Sequence, residues 1–366
     1  MASGCCAIGW REVMRTLRIG EREVGPEQLC LVIAEAGVNH NGSLEMALRL
    51  VDAAAEAGAD VVKFQTFKAE RVVSRRAAKA DYQKTGDSDS QTMLEMLKRL
   101  ELSDDDFRSI ADHARRRGII FMSKGHREDI DFLVELGVPA LKIDSAAVVY
   151  YSLLRKAAGQ GLPVILSTGG SKLGEVEKAL DILAEHGDPP VALLHCTTAY
   201  PAPPDQINLR AMLTLRTAFG LPVGFSDHSE GIDIPIAAVA LGASIIEKHF
   251  TLDRTLPGPD HKASLEPQEL RRMVDGIRSV EQALGDPRKR PTELESRNMQ
   301  LMRRSLVAER DIAAGERLQA DMVAFKRPGS GLGEDFLDLV VGRVAARPIA
   351  AGDPITWECV GGFAGE

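Results

Sequence analysis

Two histidines with charged neighbours are the first residues in this chain that could do chemistry. His228 lies in "GFSDHSEG" (224–231) and His249, 21 positions later, in "IIEKHFT". Each follows a short apolar run, and an apolar, helix-like stretch separates them. A lone histidine in such a place is ordinarily a structural hydrogen-bonder. Two at the ends of adjacent strands can meet at one ion, and imidazole in an oxygen-rich pocket suits Mn²⁺, or Mg²⁺ with waters completing its shell. No third histidine or cysteine stands close by, which argues against structural zinc. Lys63 in "VVKFQ" and Lys142 in "ALKID" are equally unusual, because a lysine within an apolar run is costly to bury without an anionic partner. Two such lysines with hydroxyls nearby suit a phosphorylated or carboxylated substrate.

The elements that must position these residues recur along the chain. An amphipathic helix, a glycine, a short apolar run and then polar residues appear in "GADVVKFQ" (Gly58), "GIIFMSKG" (Gly118), "GVPALKIDS" (Gly137) and "GLPVILSTG" (Gly161). The unit returns in "GDPPVALLHCTT" (Gly187), "GLPVGFSDH" (Gly220) and "GASIIEKHF" (Gly242), and "LCLVIAEAGVNH" begins the series without a helix before it. Glycine just past a helix adopts the left-handed cap conformation. The β-branched run after it reads as a strand buried on both faces. Eight such strands, with helical crossovers such as 43–57, 103–117, 171–186 and 266–284, predict an α/β fold: a (β/α)8 TIM barrel over residues 28–285, preceded by an N-terminal extension, 1–27. A doubly wound open sheet is the alternative, but no glycine-rich dinucleotide turn follows the first strand.

After residue 285 the rhythm changes. Residues 286–304 are charged and poor in large apolar side chains and read as a linker. The tail, 305–366, echoes itself in "DIAAGERLQADMV" (311–323) and "PIAAGDPITWECV" (348–360). That predicts a small, mostly β domain of two similar halves, with a core that is marginal alone and needs a docking surface.

In a barrel of this type the chemistry gathers at the C-terminal ends of the strands. Those ends carry Glu35, Lys63, Gln65, Lys124, Lys142, Ser145 and Ser167 in the first five strands. Thr198, Tyr200, Ser226, His228 and His249 belong to the last three. Composition narrows the partners. The 366 residues are 44% hydrophobic and carry a net charge of −8 with no domain-wide basic face, so nucleic acid is not expected as the main partner. No stretch approaches the roughly 20 apolar residues of a membrane span, and the N-terminus lacks a signal-peptide core. Five cysteines, an odd number without zinc-ligand or compact disulfide spacing, are expected to be reduced thiols of a cytoplasmic protein.

Taken together, "IAEAGVNHNG", "GADVVKFQTF", "LKIDS", "ILSTGG", "LLHCTTAYP", "GFSDHSEG", "EKHFTLD", "PGPDHKASL" and "KRPGSG" resemble the sialic acid synthase family. These are phosphoenolpyruvate-dependent synthases of nonulosonic acids, a barrel followed by an antifreeze-like (SAF) domain. The resemblance covers residues 28–360 in order. It implies a divalent metal on His228 and His249, phosphoenolpyruvate contacts from Lys63, Lys142, Ser145, Ser167 and Ser226, and sugar contacts from Glu35, Gln65, Tyr200 and Asp260. It also implies that Arg327 of "KRPG" reaches a partner subunit's active site in a domain-swapped homodimer.

The chain departs from the family pattern in places. Lys124 replaces a phosphate-contacting threonine, Asp144 a glycine, Ala147 an acid, and Thr198 a common asparagine. The missing acid at Ala147 leaves fewer groups for moving protons. The implied reaction condenses phosphoenolpyruvate with an N-acetylated amino-sugar aldehyde and water. A condensing synthase acting on sugar phosphates and a catalytically weakened carbohydrate-binding protein are the alternatives.

Overall fold

The computed structural model describes residues 15–74, 77 and 92–363. Eight parallel strands close a barrel: β3 (Leu31–Gly37), β4 (Val61–Gln65), β5 (Ile120–Lys124), β6 (Leu141–Ile143), β7 (Val164–Ser167), β8 (Val191–Cys196), β9 (Val223–Asp227) and β10 (Ile245–His249). They lie in sequence order around the ring, with β10 against β3. Parallel neighbours need long crossovers, and helices such as Leu44–Glu56, Asp104–Arg117 and Pro267–Leu284 supply them. Serine caps start the first two, Ser43 accepting from the Met46 amide and Ser103 from the Asp106 amide.

Side chains alternate between two cores. The outward positions of the strands, such as Val32, Val62, Phe121, Leu166 and Phe225, pack against the helices. The inward positions begin with an apolar floor that includes Ile33, Val61, Met122, Ile165, Leu194 and Ile245. An antiparallel hairpin, β1 (Leu17–Ile19) and β2 (Arg22–Val24), seals that floor with Leu17, Ile19 and Val24. The residues read as an N-terminal extension thus include a plug for the barrel. Arg22 fixes it by pairing with Asp60 at the mouth of β4.

The chain divides into two compact units, Met1–Gly285 and Asp286–Glu366. In the second, β11 (Ser305–Ala308) pairs with β12 (Val323–Lys326), and β13 (Arg343–Ala345) with β14 (Val360–Phe363), both antiparallel. The sequence echo has a structural counterpart. Ile312 and Ile349 exchange backbone hydrogen bonds at 2.8 and 2.9 Å, joining the two similar halves. The stretch read as a linker holds a helix, Glu293–Met302, with no buried residue and a Thr292 capping box. Its polarity concealed it.

Gly224 in β9 marks how closely the barrel is packed. A Cβ there would lie 2.4 Å from the Ile245 carbonyl oxygen and 2.7 Å from Leu194 Cδ2. Backbone cannot yield to it, so Gly224→Ala is expected to lower stability by about 2–3 kcal/mol. Urea unfolding measures this, and a loss below about 0.5 kcal/mol would contradict the packing described.

Candidate active site

The inward alternation that builds the floor becomes polar at the C-terminal ends of the strands. Ile33 is followed two residues later by Glu35, Val61 by Lys63 and Gln65, Met122 by Lys124, and Ile245 by Glu247 and His249, as a period of two requires. These side chains line a pocket of about 280 Å³. Lys63 Nζ lies 2.6 Å from Glu35 Oε2 and 3.4 Å from Glu247 Oε2. Lys142 Nζ lies 3.6 Å from Glu247 Oε1 and donates to Ser167 Oγ at 2.8 Å. Ser226 Oγ donates to Glu247 Oε1 at 2.9 Å. All six are buried, so a single carboxylate, Glu247, joins both lysines.

This network sets the charge states. Burial disfavours the charged Lys63 ammonium, but Glu247 and Glu35 outweigh it and raise its pKa. Burial also pushes Glu247 up, yet Lys142 and Lys63 hold it down at about 2. Glu35 goes the other way. Burial raises it, Lys63 opposes, and the Glu247 charge raises it again. Asp260 rises to about 7 through burial and then through Glu35. Carboxyls pushed apart in this manner divide into fixed anions and proton carriers: Glu247 belongs to the first kind, Glu35 and Asp260 to the second.

Lys124 and Asp144, two separate departures in the sequence, are partners. Their Nζ and Oδ2 atoms lie 2.7 Å apart at the pocket. Burial alone would raise Asp144, but Lys124 brings it to about 2. Its other oxygen accepts from the Ala147 amide at 3.1 Å, capping the turn that carries Ser145. Ser145 Oγ in turn accepts from the Gly169 amide at 2.9 Å. Asp144 is therefore a second fixed anion and does not replace the missing acid at Ala147, which is buried.

The two histidine rings lie 5.7 Å apart between centroids, with Tyr200 4.1 Å from His228 and 5.9 Å from His249. His228 Nδ1 faces the Thr197 carbonyl oxygen at 2.6 Å, which can only accept, so the proton sits on Nδ1 and Nε2 keeps its lone pair. His249 Nδ1 is buried without a hydrogen-bond partner, 3.9 Å from Asp260 Oδ2. Burial lowers both pKa values, His249 well below the ordinary range with help from His228 and Lys63. Both rings are neutral near pH 7 and fit a divalent ion. Among the described residues no group of three or more His, Cys, Asp or Glu side chains forms a ligand set. Water and substrate would have to complete the shell.

Thirteen of the fourteen residues singled out in the sequence line this pocket, including Gln65, Thr198, Tyr200 and Asp260. The exception, Arg327, belongs to the C-terminal unit. It is exposed there, and its Nε donates to the Met302 carbonyl at 3.0 Å. Glu247 stands among the strand-end residues of the sequence but is assigned no role there, although an acid two positions before His249 in a strand must share its face. Also unforeseen is the apolar wall of Val38, Met96, Leu97, Leu100 and Pro259. Cys30, Cys196 and Cys359 are free and buried, while Cys5 and Cys6 lie outside the described residues. No helix among the described residues is long and apolar enough to cross a membrane.

Residues 50–289 match the model of the NeuB family and residues 303–361 that of the SAF domain. The chain belongs to the NeuB family. It is 44% identical to the N,N'-diacetyllegionaminic acid synthase of Legionella pneumophila over 93% of this chain and 97% of that protein. It is 38% identical to the human N-acetylneuraminate-9-phosphate synthase over 88% and 90%. The crystal structure of the N-acetylneuraminic acid synthetase of Leptospira borgpetersenii superposes with a TM-score of 0.71 at 35% identity, covering 78% of this chain and 95% of that one.

The NeuB member described here has a carboxyl whose state should be readable in its stability. Asp260 titrates near 7 when folded, against 3.8 ordinarily. Its folded pKa is raised, so its stabilising proton is fully present below about pH 4 and lost as pH rises through 7. Asp260→Asn should therefore raise the Tm of the metal-free protein by a few degrees at pH 8 and by less than half as much at pH 5, where part of the loss has already occurred. Equal shifts at both pH values in thermal scans would contradict the assignment.

Proposed function

We propose that this NeuB-family chain condenses phosphoenolpyruvate with the open-chain aldehyde of an N-acetylated amino sugar and water, giving a nonulosonic 2-keto acid and phosphate. The observation that carries this reading is the pair of charged lysines, Lys63 and Lys142, buried around Glu247 in one pocket with two neutral histidines. The names of the relatives support the reaction class.

Lys63 and Lys142, with Lys124 beside them, neutralise the carboxylate and phosphate of phosphoenolpyruvate, and the hydroxyls of Ser145, Ser167 and Ser226 orient them. Gln65, Thr198 and Tyr200 hold the sugar against the apolar wall. The residues fit a divalent ion, Mn²⁺ or Mg²⁺, on His228 and His249, whose contribution when bound is Lewis-acid polarisation of the aldehyde oxygen. The C3 carbon of phosphoenolpyruvate attacks the aldehyde carbon with its π pair, forming the new C–C bond. Glu35 gives its one proton to the aldehyde oxygen, which becomes a hydroxyl, and is left as a carboxylate, while Asp260, protonated near neutral pH, can hydrogen-bond to the same oxygen. Electron demand at C2 is met by a water that adds there and gives up its proton to Glu35. The C2–O bond to phosphate then breaks as the ketone forms, the C2 hydroxyl giving its proton to the departing phosphate oxygen. Glu247, an anion throughout, keeps Lys63 charged while these changes occur.

A cytoplasmic homodimer completes the proposal, with Arg327 entering the partner's pocket to hold the distal part of the sugar. Its exposure and the "KRPG" sequence support that role. Arg327→Ala should raise KM for the sugar at least about tenfold and leave KM for phosphoenolpyruvate within twofold, since only sugar positioning is lost. Light scattering should give twice the 39.6 kDa chain mass. A monomer with full activity would overturn it.

Phosphate release from phosphoenolpyruvate, with Mn²⁺ and after chelation, across a panel of N-acetylated amino sugars tests the reaction. Release should require the sugar and the metal, and His228→Ala or His249→Ala should each lower it at least about 100-fold with the fold intact. Release with erythrose or arabinose phosphate alone would indicate a sugar-phosphate synthase. Sugar binding without any release would indicate a weakened carbohydrate-binding protein.

A further inference from the structure

Asp227 and Lys248 form an ion pair at 2.5 Å, each side chain 1% exposed or less. They sit opposite one another in the register of β9 and β10. By the alternation of the strands they follow Phe225 and Ile246, which belong to the apolar layer under the helices, so neither points into the pocket. They play no part in the chemistry proposed above. Yet each is the residue immediately before a histidine of the site, His228 and His249.

The pair also grips the backbone around His228. Asp227 Oδ1 accepts from the Ser229 amide at 2.8 Å, and Lys248 Nζ donates to the Ser229 carbonyl at 2.5 Å. The His228 carbonyl accepts from Ala202 at 2.8 Å, and its ring is held by Thr197. Residues 227–229 are thus clamped to β10 by one ammonium at the point where the chain leaves the strand. A buried ion pair in an apolar layer is a poor way to gain stability, because an apolar pair of similar size often serves as well or better. Its presence makes sense where it fixes a geometry.

We infer that Asp227 and Lys248 are positioning residues that set the separation and orientation of the His228 and His249 rings. The inference rests on the reading of those rings as the site of a divalent ion. The deciding variant replaces the whole pair with apolar residues, Asp227→Leu with Lys248→Met, leaving no unpaired charge. Mn²⁺ binding to the substrate-free protein, followed by electron paramagnetic resonance, gives a readout that does not need turnover. The double variant should fold, with a wild-type circular dichroism spectrum, and bind Mn²⁺ roughly 10- to 100-fold more weakly, the usual effect of losing an outer support. Its kcat should fall while KM for phosphoenolpyruvate stays within twofold, and Lys248→Arg, which keeps the charge, should recover part of the affinity.

A folded double variant that binds Mn²⁺ as wild type does would overturn the inference. If that variant does not fold, Asp227→Asn, which keeps an oxygen for the Ser229 amide, decides: wild-type Mn²⁺ affinity there would likewise overturn it. His228→Ala separates the two claims. If it leaves Mn²⁺ binding unchanged, the metal reading of the pocket fails. If it abolishes binding while the Asp227 and Lys248 variants retain it, only the positioning role fails.

Discussion

Everything at the mouth of this barrel depends on one carboxylate holding two buried lysines. Glu247 lies 3.4 Å from Lys63 and 3.6 Å from Lys142. Taking three such charges out of water is expensive, and their attraction offsets the cost only while all partners stay in place. The consequence for function is direct. Lys63 stays charged inside the pocket because Glu247 and Glu35 outweigh its burial. Glu35 completes the arrangement by sharing Lys63 while its own pKa is raised. One network thus supplies both a fixed positive lining and a group able to carry a proton.

The rest of the fold holds that network still. Below it, the inward apolar layer and the β1–β2 hairpin close the barrel floor. Behind it, the Asp227–Lys248 pair joins β9 to β10 on the face turned toward the helices. Beside it, the Lys124–Asp144 pair ties β5 to the turn carrying Ser145. Along the barrel strands, one rule of β geometry distributes residues among floor, pocket and outer layer.

Much of this was legible in the sequence. Glycine-capped helices before β-branched runs mark seven strands, the leading run "LCLVIAEAGVNH" adds the eighth, and lysines inside such runs mark the pocket. Other features depend on partners that are remote in the chain. Lys124 and Asp144 looked like two unrelated departures because sequence carries no cross-strand distance. Asp260 owes its proton affinity to burial and to Glu35, 225 positions away, which no local pattern encodes. The helix Glu293–Met302 buries nothing, so it lacks the apolar periodicity by which helices are recognised. Glu247 is the instructive case, visible at a strand end but without an assigned role. Period two from His249 would have placed it inside the pocket, but an acid between isoleucine and lysine reads as ordinary strand-end polarity.

In the reaction proposed above, Lys63 and Lys142 form the anion site of the pocket. The most direct test of that role is equilibrium binding of phosphoenolpyruvate to the protein without sugar, by calorimetry, in Lys63→Met and Lys142→Met. Each variant should stay folded and lose roughly 100-fold in affinity, the scale of removing one partner from a desolvated charge pair. Folded variants that bind phosphoenolpyruvate as tightly as the parent would contradict it.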